Sequence, residues 1–328
     1  DHLTGGNGGD AFYFGAALTA ADSVDGGVGS DQVGIQGDYT GANRLVLGAS
    51  TLVGMESLVL LSGTDTRFGE PGTNLYSYDI KTDDAMVVAG QNFIVNFNTL
   101  KAGENVTFDG SAETNGTFIF YGGAGQANLT GGSGSDGFYF GEGFFNVGDR
   151  IDGHGGADDQ LGIRGDYTLV FEDLTIQNID TIVAISATDP RFGHPQQPAY
   201  HYNLTTADAN VAAGQTLIVT GVGLTADETL TFNGSNETDG KFVLRGGAGA
   251  DHLTGGAGDD QLFGALGADT LTGGGGNDTY LYRVAGDSTA SATDHIIGFD
   301  AGDLINLSLI DADANTDGNQ AFTFVTAF

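Results

Sequence analysis

The chain has no cysteine, no tryptophan and four prolines in 328 residues, and its ten Lys and Arg stand against 43 Asp and Glu. Without cysteine there are no disulfides, no Cys-ligated zinc and no thiol catalysis. A formal charge of −33 lacks the basic footprint that nucleic acid requires and disfavours an anionic membrane surface. No apolar run reaches the ~18 residues of a membrane-spanning helix. Little proline and no Gly-X-Y period exclude collagen, although the 57 glycines are roughly 17 % of the chain against an ordinary ~7 %. Hydrophobic residues make up 40 %, so a core is available and plain disorder is not expected. The acidic excess opposes compaction. Such a chain either stays extended or folds around bound cations.

What fills the sequence is repetition. The opening DHLTGG returns at 251–256, so the chain is expected to begin inside a repeat. Two long modules follow in tandem. Phe12-Tyr13-Phe14-Gly15 returns as Phe138-Tyr139-Phe140-Gly141, Gly37-Asp38-Tyr39-Thr40 as Gly165-Asp166-Tyr167-Thr168, and Phe108-Asp109-Gly110-Ser111 as Phe232-Asn233-Gly234-Ser235. These give module one over 1–121 and module two over 122–245. Residues 246–281 divide into four nonapeptides, GGAGADHLT, GGAGDDQLF, GALGADTLT and GGGGNDTYL, and 282–328 form a separate end. Further copies lie at 5–13, 26–34 and 131–139, with degenerate ones at 122–130 and 153–161.

Each nonapeptide is a Gly-rich hexad ending in Asp, then a triplet with an apolar centre. The triplet reads as a short strand with its middle side chain inward, and the hexad as a turn that glycine makes possible. Two nonapeptides close one 18-residue coil, and coils stack into an all-β, right-handed parallel β-roll or β-helix solenoid. One inward residue per nonapeptide buries little area, so the turns need another source of stability. They offer backbone carbonyls and one carboxylate each. Two stacked turns surround a gap with about six oxygens, which suits Ca²⁺ better than the smaller, stricter Mg²⁺.

The candidate ligands are Gly5, Gly6, Gly8 and Asp10; Gly26, Gly27, Gly29 and Asp31; Gly131, Gly132, Gly134 and Asp136; and Gly153 with Asp159 or its neighbour Asp158. In the four-repeat run they are Gly246, Gly247, Gly249 and Asp251; Gly255, Gly256, Gly258 and Asp260; Gly264, Gly267 and Asp269; and Gly273, Gly274, Gly276 and Asp278. After stretched loops the Asp-x-apolar signature adds Asp22, Asp149 and Asp294, while Asp1 and Asp303 complete the set. Pairing repeat n with n+2 joins Asp1 to Asp22, Asp10 to Asp31, Asp136 to Asp159, Asp251 to Asp269 and Asp260 to Asp278. Gln126-Ala127 replaces the Asp at 122–127, so a weak or absent site is expected there, beside Asp149. Roughly six to ten Ca²⁺ are expected in all.

These repeats resemble the RTX repeat, GGxGxDx-apolar-x, of bacterial proteins exported by type I secretion. The end of the chain is similar to the C-terminal domain of serralysin-type peptidases at Asp287-Ser288-Thr289, Phe299, Ile305 to Ser308, Ile310-Asp311-Ala312 and Gly318 to Phe322. The resemblance implies a parallel β-roll, structural calcium at the matching Asp and Gly positions, and a C-terminal export signal, which is expected to be only partly present in this sequence. The inserts at 35–121 and 162–245 do not fit the nonapeptide. They read as β-rich, either wider coils of the same solenoid or separate lobes, and AAGQT and ETLTFNGSxETDG resemble repeats of large extracellular RTX proteins.

Competing motifs are weaker. There is no G-x-x-x-x-G-K-[ST], no H-E-x-x-H and no G-x-S-x-G. His194 and His201 read as loop histidines, and the D-x-N-x-D-G run from Asp313 lacks a Glu at its twelfth position, where Phe324 stands. Tyr76/Tyr78 and Tyr200/Tyr202 read as self-packing aromatics rather than a sugar platform. The expected function is therefore a non-catalytic, calcium-binding structural solenoid of a secreted or cell-surface protein. Its expected partners are calcium, copies of itself or surface polysaccharide, and the type I secretion machinery during export, with no nucleic acid and no membrane insertion. The alternatives are the export appendage of a secreted hydrolase, with catalysis upstream, or a carbohydrate-binding module.

Overall fold

Short strands with strict in–out alternation build the whole architecture. In 246–281 the strands are three residues long, and their centres Leu253, Leu262, Leu271 and Tyr280 are completely buried between more exposed neighbours. A strand this short buries one face only by stacking on copies of itself. The computed structural model describes residues 1–69, 72–192 and 199–310. His194, the acidic turn from Asp313, and the serralysin-like positions beyond Ile310 lie outside those residues.

Successive strands fall alternately on two faces of one solenoid. One face is a continuous 13-stranded sheet from Ala11–Phe14 to Leu304–Asn306; the other is divided into sheets of three, six and six strands. The strands pair in parallel, with Leu253 beside Leu271 and Leu262 beside Tyr280. Stacked positions are 18 residues apart in the four-repeat run and 28 apart at His201 and Thr229. The inserts are therefore wider coils of the same solenoid, and the reading as separate lobes falls away.

The second face breaks where the widest coils carry extra strands, Leu45–Leu47 and Leu52–Val53 in the first module, Tyr167–Val170 and Ile176–Gln177 in the second. The repeated Gly-Asp-Tyr-Thr motif staples those coils. The Tyr39 hydroxyl donates to the Gly15 carbonyl at 2.7 Å and accepts from the Leu18 amide. Tyr167 does the same with Gly141 and Phe145. Burial pushes both phenols up to about 12.

The thin core expected of a β-roll is confined to the nonapeptides. Longer insert strands such as Thr117–Gly122 bury alternate side chains over their whole length. Phe118 and Phe120 meet Phe108 across the two faces at 5.2 and 5.1 Å, and Phe120 stacks on Phe138 at 5.0 Å. Module two repeats the cross-face contact with Phe232 and Phe242 at 5.2 Å. These coils bury large apolar side chains in depth, which the nonapeptide coils do not. Among the described residues no helix is long and apolar enough to cross a membrane.

Phe118→Ala should therefore cost about 3–5 kcal/mol, with or without calcium. Denaturant unfolding in saturating calcium and in EGTA checks this; a loss that calcium abolishes would place the stability elsewhere.

Candidate metal-binding turns

The strand register brings the acidic turns into vertical ladders along the edges of the solenoid. In most rungs the backbone N–H of a turn Asp donates to a carboxylate oxygen of the acidic residue one coil further on, usually Oδ1 of an Asp. Asp10 donates to Asp31 at 2.6 Å, Asp136 to Asp159 at 2.7 Å, Asp251 to Asp269 at 2.8 Å and Asp260 to Asp278 at 2.9 Å. Asp269 and Asp278 continue to Asp294 and Asp303, both at 3.0 Å. Asp1 meets Asp22 through its terminal amine. Of the two neighbours considered in module two, Asp159 is buried in the ladder and Asp158 is exposed outside it.

The second carboxylate oxygen separates two kinds of rung. In Asp136, Asp251 and Asp260 it accepts from the N–H of the second turn glycine, Gly132, Gly247 and Gly256, each at 2.6 Å. In Asp10, Asp31 and Asp269 it is buried without any hydrogen-bond partner, while the Asp294 carboxylate is met by the Tyr282 side chain. A buried carboxylate oxygen without a partner is costly. Such oxygens on stacked turns fit a hard cation that takes several oxygen ligands.

The glycines are fixed by crowding. A Cβ on Gly255 would strike Asp260 Oδ2 and the Gly273 carbonyl, and one on Gly267 would strike the carbonyl of Gly249 one coil below. Gly267 also lies at φ +135°. Gly5, Gly131, Gly246, Gly264 and Gly273 press on their own turn Asp in the same manner as Gly255. Gly6 and Gly8 lie at φ +151° and +103°, and Gly27 and Gly29 one coil on are crowded by their carbonyls. Ala265 departs from the pattern. It holds φ +73°, a conformation that costs an L-residue about 1–2 kcal/mol.

The degenerate turn at 122–127 is closed by other means. Ala127, at the Asp position, is buried and donates its N–H to Asp149 Oδ1 at 2.8 Å, while the Gln126 amide donates to the Gly148 carbonyl at 2.7 Å. Asp149 Oδ2 accepts from Asn146 N–H, so both of its oxygens are satisfied by protein. Asp22 is similar, its Oδ2 held by the amide and hydroxyl of Thr19.

Several acidic residues in these edges escaped the repeat pattern. Asp159 N–H donates to Asp180 Oδ2 at 2.7 Å, and Asp31 N–H to Glu56 Oε2 at 2.6 Å. The Asp-x-apolar signature also fits Asp180-Thr181-Ile182 and, with Glu for Asp, Glu56-Ser57-Leu58, so that signal was available. Glu104, Glu113, Glu228 and Glu237 are almost wholly buried in insert turns, and the nonapeptide gave no hint of them. The histidine and aromatic alternatives find ordinary roles: His201 is exposed beside Thr229, and Tyr78 and Tyr202 are buried with their hydroxyls donating to backbone carbonyls.

Stacking acids in a buried edge perturbs them. Burial pushes Asp136, Asp149, Asp251 and Asp260 up to about 6, and Asp159 and Asp269 up to about 7, with neighbouring carboxylates adding to the rise in Asp159 and Asp269. Apart from Asp22, no carboxylate of the ladders is ion-paired with a basic group among the described residues.

A family model for the RTX calcium-binding nonapeptide repeat (4 copies) matches residues 243–280. This stretch belongs to the RTX family. The RTX match covers the four-repeat run and the strand that leads into it, where the Asp251–Asp269 and Asp260–Asp278 rungs lie. Among curated proteins none matches the chain. RTX repeats bind calcium, so the ladder geometry and the family agree on the class of ion.

The raised carboxyls hold protons more tightly in the folded chain than in the unfolded one, where the ordinary value is 3.8. Without metal, stability is therefore highest below that value and falls as pH rises through about 7. Calcium needs the same groups ionised, so its affinity should fall as pH falls. Melting in EGTA at pH ~5.5 and ~7.5, with calcium titrations at both, checks the sign. The chelated protein should melt higher at the lower pH, and the calcium midpoint should be lower at the higher pH. Chelated stability that rises with pH would contradict the assignment.

Proposed function

We propose that this chain is a calcium-folded structural solenoid of an extracellular or cell-surface protein. The partnerless oxygens of Asp10, Asp31 and Asp269 in stacked glycine turns are the observation that carries this reading. Calcium would sit between successive turns of one edge, held by the Asp carboxylates of both and by the carbonyls of the turn glycines named above. Bound there, it supplies the positive charge that the stacked acids lack. The turns supply ligands already spaced by the strand register, which limits the ordering cost at binding.

Release from the cell follows from the same chemistry. Calcium sites of extracellular type have Kd values of about 10⁻⁴–10⁻³ M, above cytosolic calcium. The repeat run would stay unfolded inside the cell, pass a type I exporter, and fold outside as binding and folding couple. The absence of cysteine suits such a route. The two long modules favour a surface-layer, matrix or adhesive parent over an enzyme appendage, since their apolar coils lengthen and stiffen the solenoid beyond what an export tail needs. In this reading modules 1–121 and 122–245 are a stalk with calcium turns at the start of each, and 246–281 is its calcium-locked end.

Circular dichroism with calcium titrated against EGTA should show β structure gained as calcium is added. Asp260→Ala with Asp278→Ala should raise the calcium midpoint several-fold and reduce its cooperativity. A spectrum and melting point unchanged by EGTA would refute the mechanism, and an unaltered titration in the double variant would refute the pairing of these turns.

A further inference from the structure

The strongest unexplained chemistry lies outside the nonapeptides, in the turn Asn233-Gly234-Ser235-Asn236-Glu237-Thr238-Asp239-Gly240 of the second insert. Glu237 is 1 % exposed. Its Oε1 gathers three backbone N–H donors, from Thr238 and Asp239 at 3.1 Å and Gly240 at 2.7 Å. Its Oε2 is buried and has no hydrogen-bond partner. One oxygen each of Asp208, Glu237 and Asp239 lies within 4.8 Å of the other two. No ion pair among the described residues reaches any of the three: the nearby Lys241 pairs with Asp259 instead.

The neighbouring Glu228 shows that this is not simply how the fold buries a glutamate. Its Oε1 accepts from the Ala187 and Tyr200 amides, and its Oε2 from the Ser186 hydroxyl and the Thr225 amide, so nothing is left over. Glu104 in module one is likewise satisfied on both oxygens, by Gly63, Tyr76 and Lys101 amides. The Glu237 turn is the kind that keeps an oxygen free. Module one builds it again. Glu113 is fully buried, with Oε1 held by the Asn115 and Gly116 amides and Oε2 partnerless. Asp84 anchors that turn through Thr114 N–H and Oγ1, as Asp208 anchors the other through Thr238 N–H and Oγ1. The single change in the acidic set is Asn115 where module two has Asp239.

We infer that Asp208, Glu237 and Asp239 form a calcium site of a second type, made of three side-chain carboxylates rather than glycine carbonyls. Carboxylates accept and do not donate, so three of them converge stably only around a cation. Two are exposed and adjustable, which suits the flexible coordination of Ca²⁺ more than the strict octahedron of Mg²⁺. The site's position gives it a task. Ala257 N–H donates to the Glu237 carbonyl at 2.9 Å, and Gly258 packs on the Gly240 carbonyl. The turn is thus the seat of the turn that carries Asp260. A cation here ties the coil bearing Asp208 to that seat, below the four-repeat run. Asp84, Glu113 and Asn115 form the corresponding module-one site, weaker by one charge and lying beneath the turn of Asp136, whose Ser133 N–H donates to the Glu113 carbonyl at 2.8 Å.

The test is calcium stoichiometry by native mass spectrometry on the whole chain, with affinities by calorimetry. Asp208→Asn with Asp239→Asn keeps side chains of the same shape and leaves the Glu237 amide bonds intact; Asn at 239 copies the natural Asn115. The double variant should lose one calcium while its calcium-loaded circular dichroism stays that of the parent. Asn115→Asp should tighten one further site by roughly tenfold, as added ligand charge does. An unchanged stoichiometry in the double variant, or no gain of affinity in Asn115→Asp, would overturn the site. Magnesium replacing calcium at equal affinity would also overturn it. Loss of ions in Asp260→Ala with Asp278→Ala reports the nonapeptide sites, so the two sets fail or stand separately.

Discussion

Like charges stacked in a buried edge are the constraint on which the rest of this structure depends. The strand register puts each turn carboxylate one coil above the last, and the backbone N–H of one reaches the oxygen of the next. That hydrogen bond fixes the acids in place but does not neutralise them. Burial raises their proton affinity, and their neighbours raise it further. Protons or a divalent cation resolve the conflict, and above the raised values of about 6 to 7 only the cation can. The glycines follow from the same crowding, because a side chain on them would displace the carboxylate or the carbonyl of the adjacent coil.

The molecule therefore has two sources of stability along one axis. Over 246–281 a coil buries little beyond Leu253, Leu262, Leu271 and Tyr280, and the proposed calcium would supply the remainder. In the inserts, phenylalanines from both faces interlock and tyrosine hydroxyls staple the wide coils. Fully satisfied buried glutamates such as Glu104 and Glu228 close the insert turns where the nonapeptide would place Asp. A solenoid lets these regimes coexist, since each coil answers chiefly to its neighbours.

The nonapeptide region was legible because its period, its inward residue and its Asp are all local. Register then follows, and the pairing of Asp251 with Asp269 and of Asp260 with Asp278 could be read by counting. The one-residue insertion at 153–161 left Asp158 and Asp159 open, and only strand pairing of Gln160 with Gly137 decides it. The inserts were less legible because their coil length varies, so no spacing shows which residues stack. Glu113 and Glu237 illustrate this. Each is an ordinary acidic residue in a polar turn by sequence, and becomes notable only when the coil buries it with one oxygen free. The wider insert coils were foreseen, but the depth of their Phe118, Phe120 and Phe138 packing was not, since no local spacing shows which of these rings meet.

Hydrogen exchange of the backbone, read segment by segment in calcium and in EGTA, tests the division most directly. The account predicts that chelation strips protection from strands His252–Thr254 through Leu304–Asn306 while Asn92–Asn96 and Thr117–Gly122 stay protected. Uniform loss over both regions, or protection of the repeat strands that survives EGTA, would contradict it.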